Sequence, residues 1–308
     1  MATVASPVLV SGSHRSGTTW VGRMLEASGS FAYLHEPFNP EIPRPGFCDA
    51  PFRGFTFVHP ANEASFKTPI ERTLQLRYRI DKELRTCRTR KQVRQVVAAG
   101  RRASQARRAG LRPLMKDPIA LFSAEWLADT FGMQVVIMIR HPAAFVSSIM
   151  RVGWTHDFGK FLDQPELVKV YLQQHRERLE ALRGPHDPFD GAVLAWVVTH
   201  EVIRVTQQRR PDWQFIRHED LSAAPIEGFR AMYRALDVEM TPAAEAVIRK
   251  HSSADNPTEA PEGDPYQIQR DSAGNIEAWR SRLTDDEVGR VQEGTTELAR
   301  HFYPDVEW

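Results

Sequence analysis

Nine residues constrain this chain more than any others: Gly12-Ser13-His14-Arg15-Ser16-Gly17-Thr18-Thr19-Trp20. A short apolar run over 7–10 precedes them, and Trp20, Val21, Met24 and Leu25 follow at helical spacing. Strand, glycine turn and helix in that order build a phosphate cradle. The two glycines let the backbone curl until several N–H groups face one anion, and the helix N-terminus adds partial positive charge. Thr18 and Thr19 add hydroxyl donors. The nucleoside-triphosphatase form of such a loop reads G-x-x-x-x-G-K-[ST]. Here Thr18 stands at the lysine position and the cation, Arg15, lies inside the loop. A plain strand-to-helix connection would need neither Arg15 nor the paired threonines, so the residues favour an anion site.

Further strand ends carry chemistry of the same kind. A second strand over 31–34 runs into His35-Glu36-Pro37. A carboxylate there suits a site at the carboxyl edge of a parallel sheet, and equally a turn cap before proline. Segment 38–68, with Pro40, Pro43, Pro45, Pro51 and Pro60, reads as a long loop, either a lid or a wrap over the core. Helical patterning follows over 69–109. Between Leu84 and Pro113 stand ten Arg or Lys residues and no Asp or Glu. A one-sign block suggests an anionic partner, but no aromatics are interleaved, and a solvated basic arm is the plainer account. A third strand over 111–115 ends in Lys116-Asp117-Pro118, where the lysine either pairs with Asp117 or faces the glycine loop.

After a helix over 119–131, residues 134–139 form a continuous apolar run, the mark of a central parallel strand covered on both faces. It ends in Arg140-His141-Pro142. Arg140 at the strand end and Ser148 two helical turns later can converge on one anion. Trp154, His156, Phe158 and Phe161 read as core rather than pocket. A helix over 192–208, a strand over 213–216 with the tail Arg217-His218-Glu219-Asp220-Leu221, and helices over 226–236 and 243–249 come next. A proline-rich loop over 252–272 and a last helix over 284–302 complete the chain.

Composition narrows the function classes. With 308 residues there is room for one large α/β domain or two small ones. The net charge of +1 gives no global field that would advertise nucleic acid. Cys48 and Cys87 show no metal-ligand spacing and fit a reducing compartment, so a cytoplasmic location is expected. No secretory signal is visible, and no run approaches the ~20 apolar residues of a membrane span.

Two motifs carry a resemblance. Arg15 to Trp20 resembles the 5′-phosphosulfate loop of sulfotransferases that use 3′-phosphoadenosine 5′-phosphosulfate (PAPS), which reads roughly [KR]-S-G-T-[TS]-W. Arg140 followed eight residues later by Ser148 is similar to that family's 3′-phosphate pair in order and spacing. The likeness is to bacterial, carbohydrate-sulfotransferase-like members. It implies an α/β, P-loop-like three-layer fold with a central parallel sheet flanked by helices. One domain would span 1–308, with 38–112 as a loop and basic helical insertion. It implies transfer of a sulfuryl group from PAPS to an acceptor hydroxyl, less favourably an amine, of a glycan, lipid or small metabolite. The product nucleotide would be 3′-phosphoadenosine 5′-phosphate (PAP).

The same resemblance implies roles for residues. Arg15, Ser16, Gly17, Thr18, Thr19 and Trp20, with Arg140 and Ser148, would hold the nucleotide. Arg270 joins them by a looser match, because its gap to Trp279 is longer and the Lys-Gly that follows such an arginine is absent. Arg15 and Lys116 would supply cations for an in-line displacement, with no metal required. The tail Glu219-Asp220-Leu221 would be structural, near the nucleotide. Four residues at the sheet edge are candidates for the base: Glu36, His35, Asp117 and His141. Neighbours on an extended strand face opposite ways, so His35 and Glu36 are not expected to share the cleft. The family's Glu-Pro picks Glu36. A P-loop kinase acting on a small molecule is the alternative, opposed by the missing loop lysine and by the Arg140–Ser148 pair. A non-enzymatic anion binder using the basic arm ranks third. Neither the acceptor nor the oligomeric state has a sequence signal.

Overall fold

A computed structural model of the chain describes residues 6–40, 48–259, 261, 267–305 and 308; Pro43, Pro45, Gly263 and Pro265 fall outside them. Five strands form one sheet: β1 (Val8–Gly12), β2 (Phe31–His35), β3 (Arg112–Lys116), β4 (Gln134–Ile139) and β5 (Gln214–Arg217). All pairings are parallel, in the order β2-β3-β1-β4-β5. The helices are α1 (Thr18–Glu26), α2 (Ala64–Leu74), α3 (Ile80–Thr86), α4 (Arg90–Arg108), α5 (Ala124–Phe131) and α6 (Pro142–Val152). Three short ones follow, α7 (Gly159–Leu162), α8 (Pro165–Leu167) and α9 (Arg176–Ala181). The last five are α10 (Pro188–Arg209), α11 (His218–Ala223), α12 (Pro225–Ala235), α13 (Pro242–Ser252) and α14 (Asp285–Phe302).

Strand alternation divides the core into two slabs. Leu9, Met115, Val135, Ile137 and Ile139 face one way, into a cluster completed by α5, α6, α10 and α14. Val8, Val10, Leu114, Val136 and Met138 face the other, against α1, α12 and α13. Helices therefore cover both faces of a parallel sheet, as the continuous apolar runs require. This is the three-layer α/β class expected from the sequence. Among the described residues, no helix is long and apolar enough to cross a membrane.

Local chemistry moves several boundaries. The helical stretch expected over 69–109 is three helices, starting earlier, at Ala64. Leu76 breaks it with a φ of 53°, and Thr89 opens α4 through a reciprocal capping box with Gln92. A tight turn over Pro118–Ser123, capped by the Asp117 side chain, precedes α5. Strand β3 begins at Arg112, one residue later than expected, so 38–112 overlaps the sheet. Arg112 is buried, and its guanidinium donates to the Ser6 and Leu236 carbonyls and to Gln134 Oε1. It is a sheet residue and not part of the exposed basic arm. Segment 38–68 buries Phe38, Cys48, Phe52 and Val58 in the core, with the Phe38 and Phe52 rings stacked at 3.9 Å.

Gly12 ends β1 with a φ of 137°, and a Cβ there would press into the backbone of Met138 on β4. Strain at such a φ and overpacking each cost about 1–3 kcal/mol. Gly12→Ala is therefore expected to lower unfolding free energy by roughly 2–6 kcal/mol in denaturant titration. A loss below about 1 kcal/mol would mean that the β1–β4 contact yields easily.

Candidate active site

The parallel register brings the carboxyl ends of the strands to one rim. His35 pairs with Lys116 and Gly12 with Met138, while Ile139 pairs with Arg217. A cleft of about 1170 Å³ opens over this rim. Its floor is the glycine loop. Arg15 has a φ of 64°, Gly17 has a φ of 88° and caps α1, and Ser16 folds back so that its N–H and Oγ both donate to the Ser13 carbonyl, at 3.2 and 2.5 Å. A Cβ on Gly17 would lie 2.6 Å from His218 Nδ1, so only glycine lets the loop rest on that ring.

Arg140 is held from several directions. Its backbone N–H donates to His200 Nε2 at 3.4 Å, and its carbonyl accepts from Trp196 Nε1 at 2.8 Å. His200 and Trp196 are one turn apart on α10, both fully buried, with rings stacked at 4.1 Å. The His200 Nδ1–H donates to the Trp196 carbonyl at 2.8 Å, which leaves Nε2 bare to accept. The Arg140 guanidinium donates from Nη1 to the Arg15 carbonyl at 2.7 Å, and Arg15 Nε donates to Ser148 Oγ at 3.1 Å. Arg140 and Ser148 are thus linked through Arg15. Burial pulls the Arg140 guanidinium down from its ordinary value. Burial, together with Arg15, Arg140, Arg151 and Arg282, pulls Arg270 down to about 10. That clustering of cations is what an anion site requires. Among the cleft residues, Arg140 Nε, His14 Nδ1 and Trp20 Nε1 are buried without a hydrogen-bond partner among the described residues.

The tip of β2 forms another wall, and here one expectation fails. His35 and Glu36 both line the cleft. Glu36 lies beyond the last strand residue with a φ of 44°, so strand alternation does not govern it. Its carboxylate accepts from Lys116 Nζ and, at 2.8 Å, from Asn39 Nδ2. Burial alone would raise Glu36, but the Lys116 ammonium and its hydrogen bond, aided by Asn39, outweigh that and hold it below the usual carboxylate range. Lys116 is fully buried and reaches the cleft only through Glu36. Its salt bridge is with Glu36, not with Asp117. The Asp117 carboxylate accepts from the Phe38 and Ile119 N–H groups at 2.8 and 3.0 Å, anchoring the turn, and burial pushes it up to about 7. Burial and then the Lys116 charge push His35 down to about 4, leaving it neutral at pH 7.

Of the other candidates, Gly17, Thr18, Thr19, Trp20 and Arg270 line the cleft, while Ser16 and Ser148 are buried beneath it. His141 points elsewhere, into a smaller pocket, where its ring stacks on Trp279 at 5.4 Å. The expectation of core packing holds for Phe158; Phe161 is buried in the core and also lines the cleft, as do Trp154 and His156, which are not buried. Gly153, at a φ of 66°, ends α6 and turns them over the glycine loop. His14 Nε2 and His156 Nε2 lie 2.9 Å apart, and burial lowers both rings, so one hydrogen links two neutral imidazoles. Sequence reasoning gave His14 and His218 no role. The signal available was their place at the ends of β1 and β5.

A glycine loop between the first strand of a parallel sheet and a helix, with the half-buried Arg15, Arg140 and Arg270 lining the same cleft, has the form of an α/β phosphate-binding site. The profile of the sulfotransferase family matches residues 7–242, and the chain belongs to that family. Carbohydrate sulfotransferase 3 of Rattus norvegicus is 26% identical over 179 residues, and that of Homo sapiens 26% over 181; each match covers 55% of this chain and 31% of the relative. The chain thus matches about a third of the length of these curated relatives. Among solved structures, the sulfotransferase domain of the Synechococcus PCC 7002 olefin synthase shares the fold, with a TM-score of 0.52 at 16% identity over 98% of this chain and 95% of that one.

The Glu36–Lys116 geometry makes a signed prediction. Lys116→Met removes the cation and leaves the burial. Glu36 should then titrate above its ordinary carboxylate value instead of below it, as carbon-detected NMR of the side-chain carboxyl will show. A Glu36 that stayed depressed in this variant would mean that Asn39 alone sets its acidity.

Proposed function

We propose that the protein transfers a sulfuryl group from PAPS to an acceptor hydroxyl, with an amine as the less favoured acceptor, and releases PAP. The observation that carries this is Arg140, a half-buried guanidinium whose Nε is shut off from water with no hydrogen-bond partner among the described residues, in a cleft shared with Arg15 and Arg270. Burying a cation this way costs stability unless a charge-complementary group uses it. A 3′-phosphate, which ATP lacks, fits that need. The P-loop kinase is not favoured, because Thr18 replaces the loop lysine.

In this scheme Ser16, Gly17, Thr18, Thr19 and Trp20 hold the 5′ end of the nucleotide, and Arg140, Ser148 and Arg270 hold the 3′-phosphate. When bound, PAPS supplies a sulfuryl group on a phosphate leaving group. Arg15 offsets the charge that builds at that centre, and Lys116 adds a second positive charge from behind Glu36. Glu36 takes the acceptor proton. His35 is the second reading for this step, because it lines the same cleft and is unprotonated at pH 7. The names of the rat and human relatives support a glycan acceptor, and the partly exposed Trp154 ring offers a surface on which a sugar can stack. We take residues 1–308 as one transferase domain with an insertion that ends at 111, before β3, and place it in the cytoplasm on the strength of two free thiols, Cys48 and Cys87.

Calorimetry is expected to show PAP binding far tighter than ATP with magnesium. Arg140→Ala should weaken PAP by about 1.5–3 kcal/mol, roughly ten- to 150-fold, and leave the weak ATP binding unchanged. Wild-type preference for ATP would overturn the proposal. PAP release across a panel of glycans, lipids and phenols will find the acceptor. With that acceptor, Glu36→Gln should keep PAP affinity while losing ~10²–10⁴ in turnover. If instead Glu36→Gln stays active and His35→Ala does not, the histidine is the base.

A further inference from the structure

Segment 85–108 carries nine cations and no carboxylate, so in a chain of net charge +1 the remaining residues balance to about −8. All nine are exposed: Arg85, Arg88, Arg90, Lys91, Arg94, Arg101, Arg102, Arg107 and Arg108. Their neighbours Arg72, Arg79 and Lys82 are each ion-paired, all three with Asp49 and Arg79 also with Asp81. No ion pair engages any of the nine among the described residues, and none of them lines the cleft.

Helical geometry orders them. At about 100° and 1.5 Å per residue, Arg90, Arg94, Arg101 and Arg108 fall within an arc of roughly 40° along about 27 Å of α4. The last three are spaced by seven residues, two turns or roughly 10 Å each. The opposite side of α4 is spent on packing. Val96, Gly100 and Ala103 are buried, and Ile80 of α3 lies directly on Gly100. The arrangement works against the helix itself. Arg90 and Lys91 stand in a first turn with no acidic residue, where the macrodipole disfavours cations, and Arg90 repels Arg94 at i,i+4. An anion lying along the stripe would offset both costs.

The stripe is fastened beside the cleft. Ala106 and Leu111, at the end of α4, pack against Ala32 and Leu34 of the edge strand β2. That strand ends at His35, in the cleft wall.

We propose that this stripe grips an acidic polysaccharide, a polymer bearing about one anionic group per disaccharide, and so holds the acceptor chain or its sulfated product next to the cleft. The inference deepens the glycan-acceptor reading and rests on it for its purpose, but the binding is measurable apart from catalysis. Widely spaced single charges suit such a polymer better than duplex nucleic acid, which presents a charge about every 1.7 Å. There are no interleaved aromatics to stack single-stranded bases. A membrane surface would need a broad exposed apolar face, and here only Leu84 and Val93 are exposed among the large apolar residues of the arm.

The test uses the full chain and hyaluronan oligosaccharides, which carry one carboxylate per disaccharide, with binding followed by fluorescence anisotropy at low salt. Neutral dextran, a short DNA duplex and phosphatidylserine vesicles serve as comparisons. Hyaluronan should bind with an affinity that falls as salt rises, and dextran should not bind. The combined variant Arg94→Gln/Arg101→Gln/Arg108→Gln should lose at least tenfold. Arg85→Gln/Arg88→Gln/Arg107→Gln removes the same charge off the stripe and should lose less than threefold. Arg94→Lys/Arg101→Lys/Arg108→Lys should stay within threefold, and PAP affinity should be unchanged in all three. Equal losses from the two glutamine variants would overturn the stripe, and a tenfold loss from the lysine variant would overturn its electrostatic basis. Tighter binding of DNA or vesicles at the same salt, or no hyaluronan binding, would overturn the partner class. If hyaluronan binds as expected while PAP does not bind the wild type, the transferase reading fails and the stripe stands.

Discussion

A guanidinium half-buried at the end of a central strand has to be held and compensated, and that requirement organises the carboxyl edge of the sheet. Arg140 is half-buried, with its Nε shut off from water. Its backbone is pinned at both N–H and C=O by Trp196 and His200, two residues of a helix that is buried along most of its length. The pinning fixes where the guanidinium reaches, and its reach fixes the Arg15 carbonyl. Arg15 in turn orients Ser148. Three elements far apart in sequence, the glycine loop, α6 and α10, are thereby locked by one side chain and its two backbone groups. The charge is partly answered by Glu219, which also accepts from the His141 N–H at 3.0 Å and from Tyr303 Oη at 2.7 Å. A site built this way is rigid before any ligand arrives, which is the condition for electrostatic complementarity to cost no reorganisation.

The other half of the cleft is balanced differently. Lys116 and Glu36 form an ion pair in which one partner is wholly buried and the other lies at the edge of solvent. Such pairs gain little net stability, because desolvation consumes most of the attraction. What the pair does provide is position. Lys116 sits on β3 between β1 and β2, so its ammonium is delivered by the most regular part of the fold. Glu36, on an irregular turn, is delivered to the lysine. Asp117, next in the chain, is used up in anchoring the turn that lets this happen.

Much of this was legible in the amino-acid sequence, for physical reasons that differ by element. Strands β1 and β4 announce themselves because a strand buried on both faces has to be apolar throughout. The glycine loop is legible because few other needs put two glycines, a cation and two threonines between a strand and a helix. The boundaries that slipped depend on single residues with several plausible fates. Arg112 reads as part of a basic surface, yet three acceptors remote in sequence draw it inside. Trp154 and His156 read as core, because the turn at Gly153 that swings them outward depends on where α6 stops. Lys116 reads as paired with adjacent Asp117 or as facing the glycine loop, whereas the sheet order puts β2 beside β3 and gives it Glu36, eighty residues away, as its partner.

The left-handed backbone at Glu36 is the least legible feature, since nothing about glutamate advertises a positive φ. Glycine would adopt that conformation without penalty, whereas a side chain there carries strain of order 1–3 kcal/mol. The most comfortable residue at this position is therefore one with no carboxylate at all. The backbone and the buried ammonium of Lys116 pull position 36 in opposite directions, and the residue found there marks which of the two prevailed. Stabilising substitutions are easy to find in most proteins and tend to erode activity where strain is part of the site. Glycine at this turn would not be one of them, because it leaves the wholly buried Lys116 ammonium without its partner, and stranding a buried charge costs about 3–5 kcal/mol against strain of about 1–3.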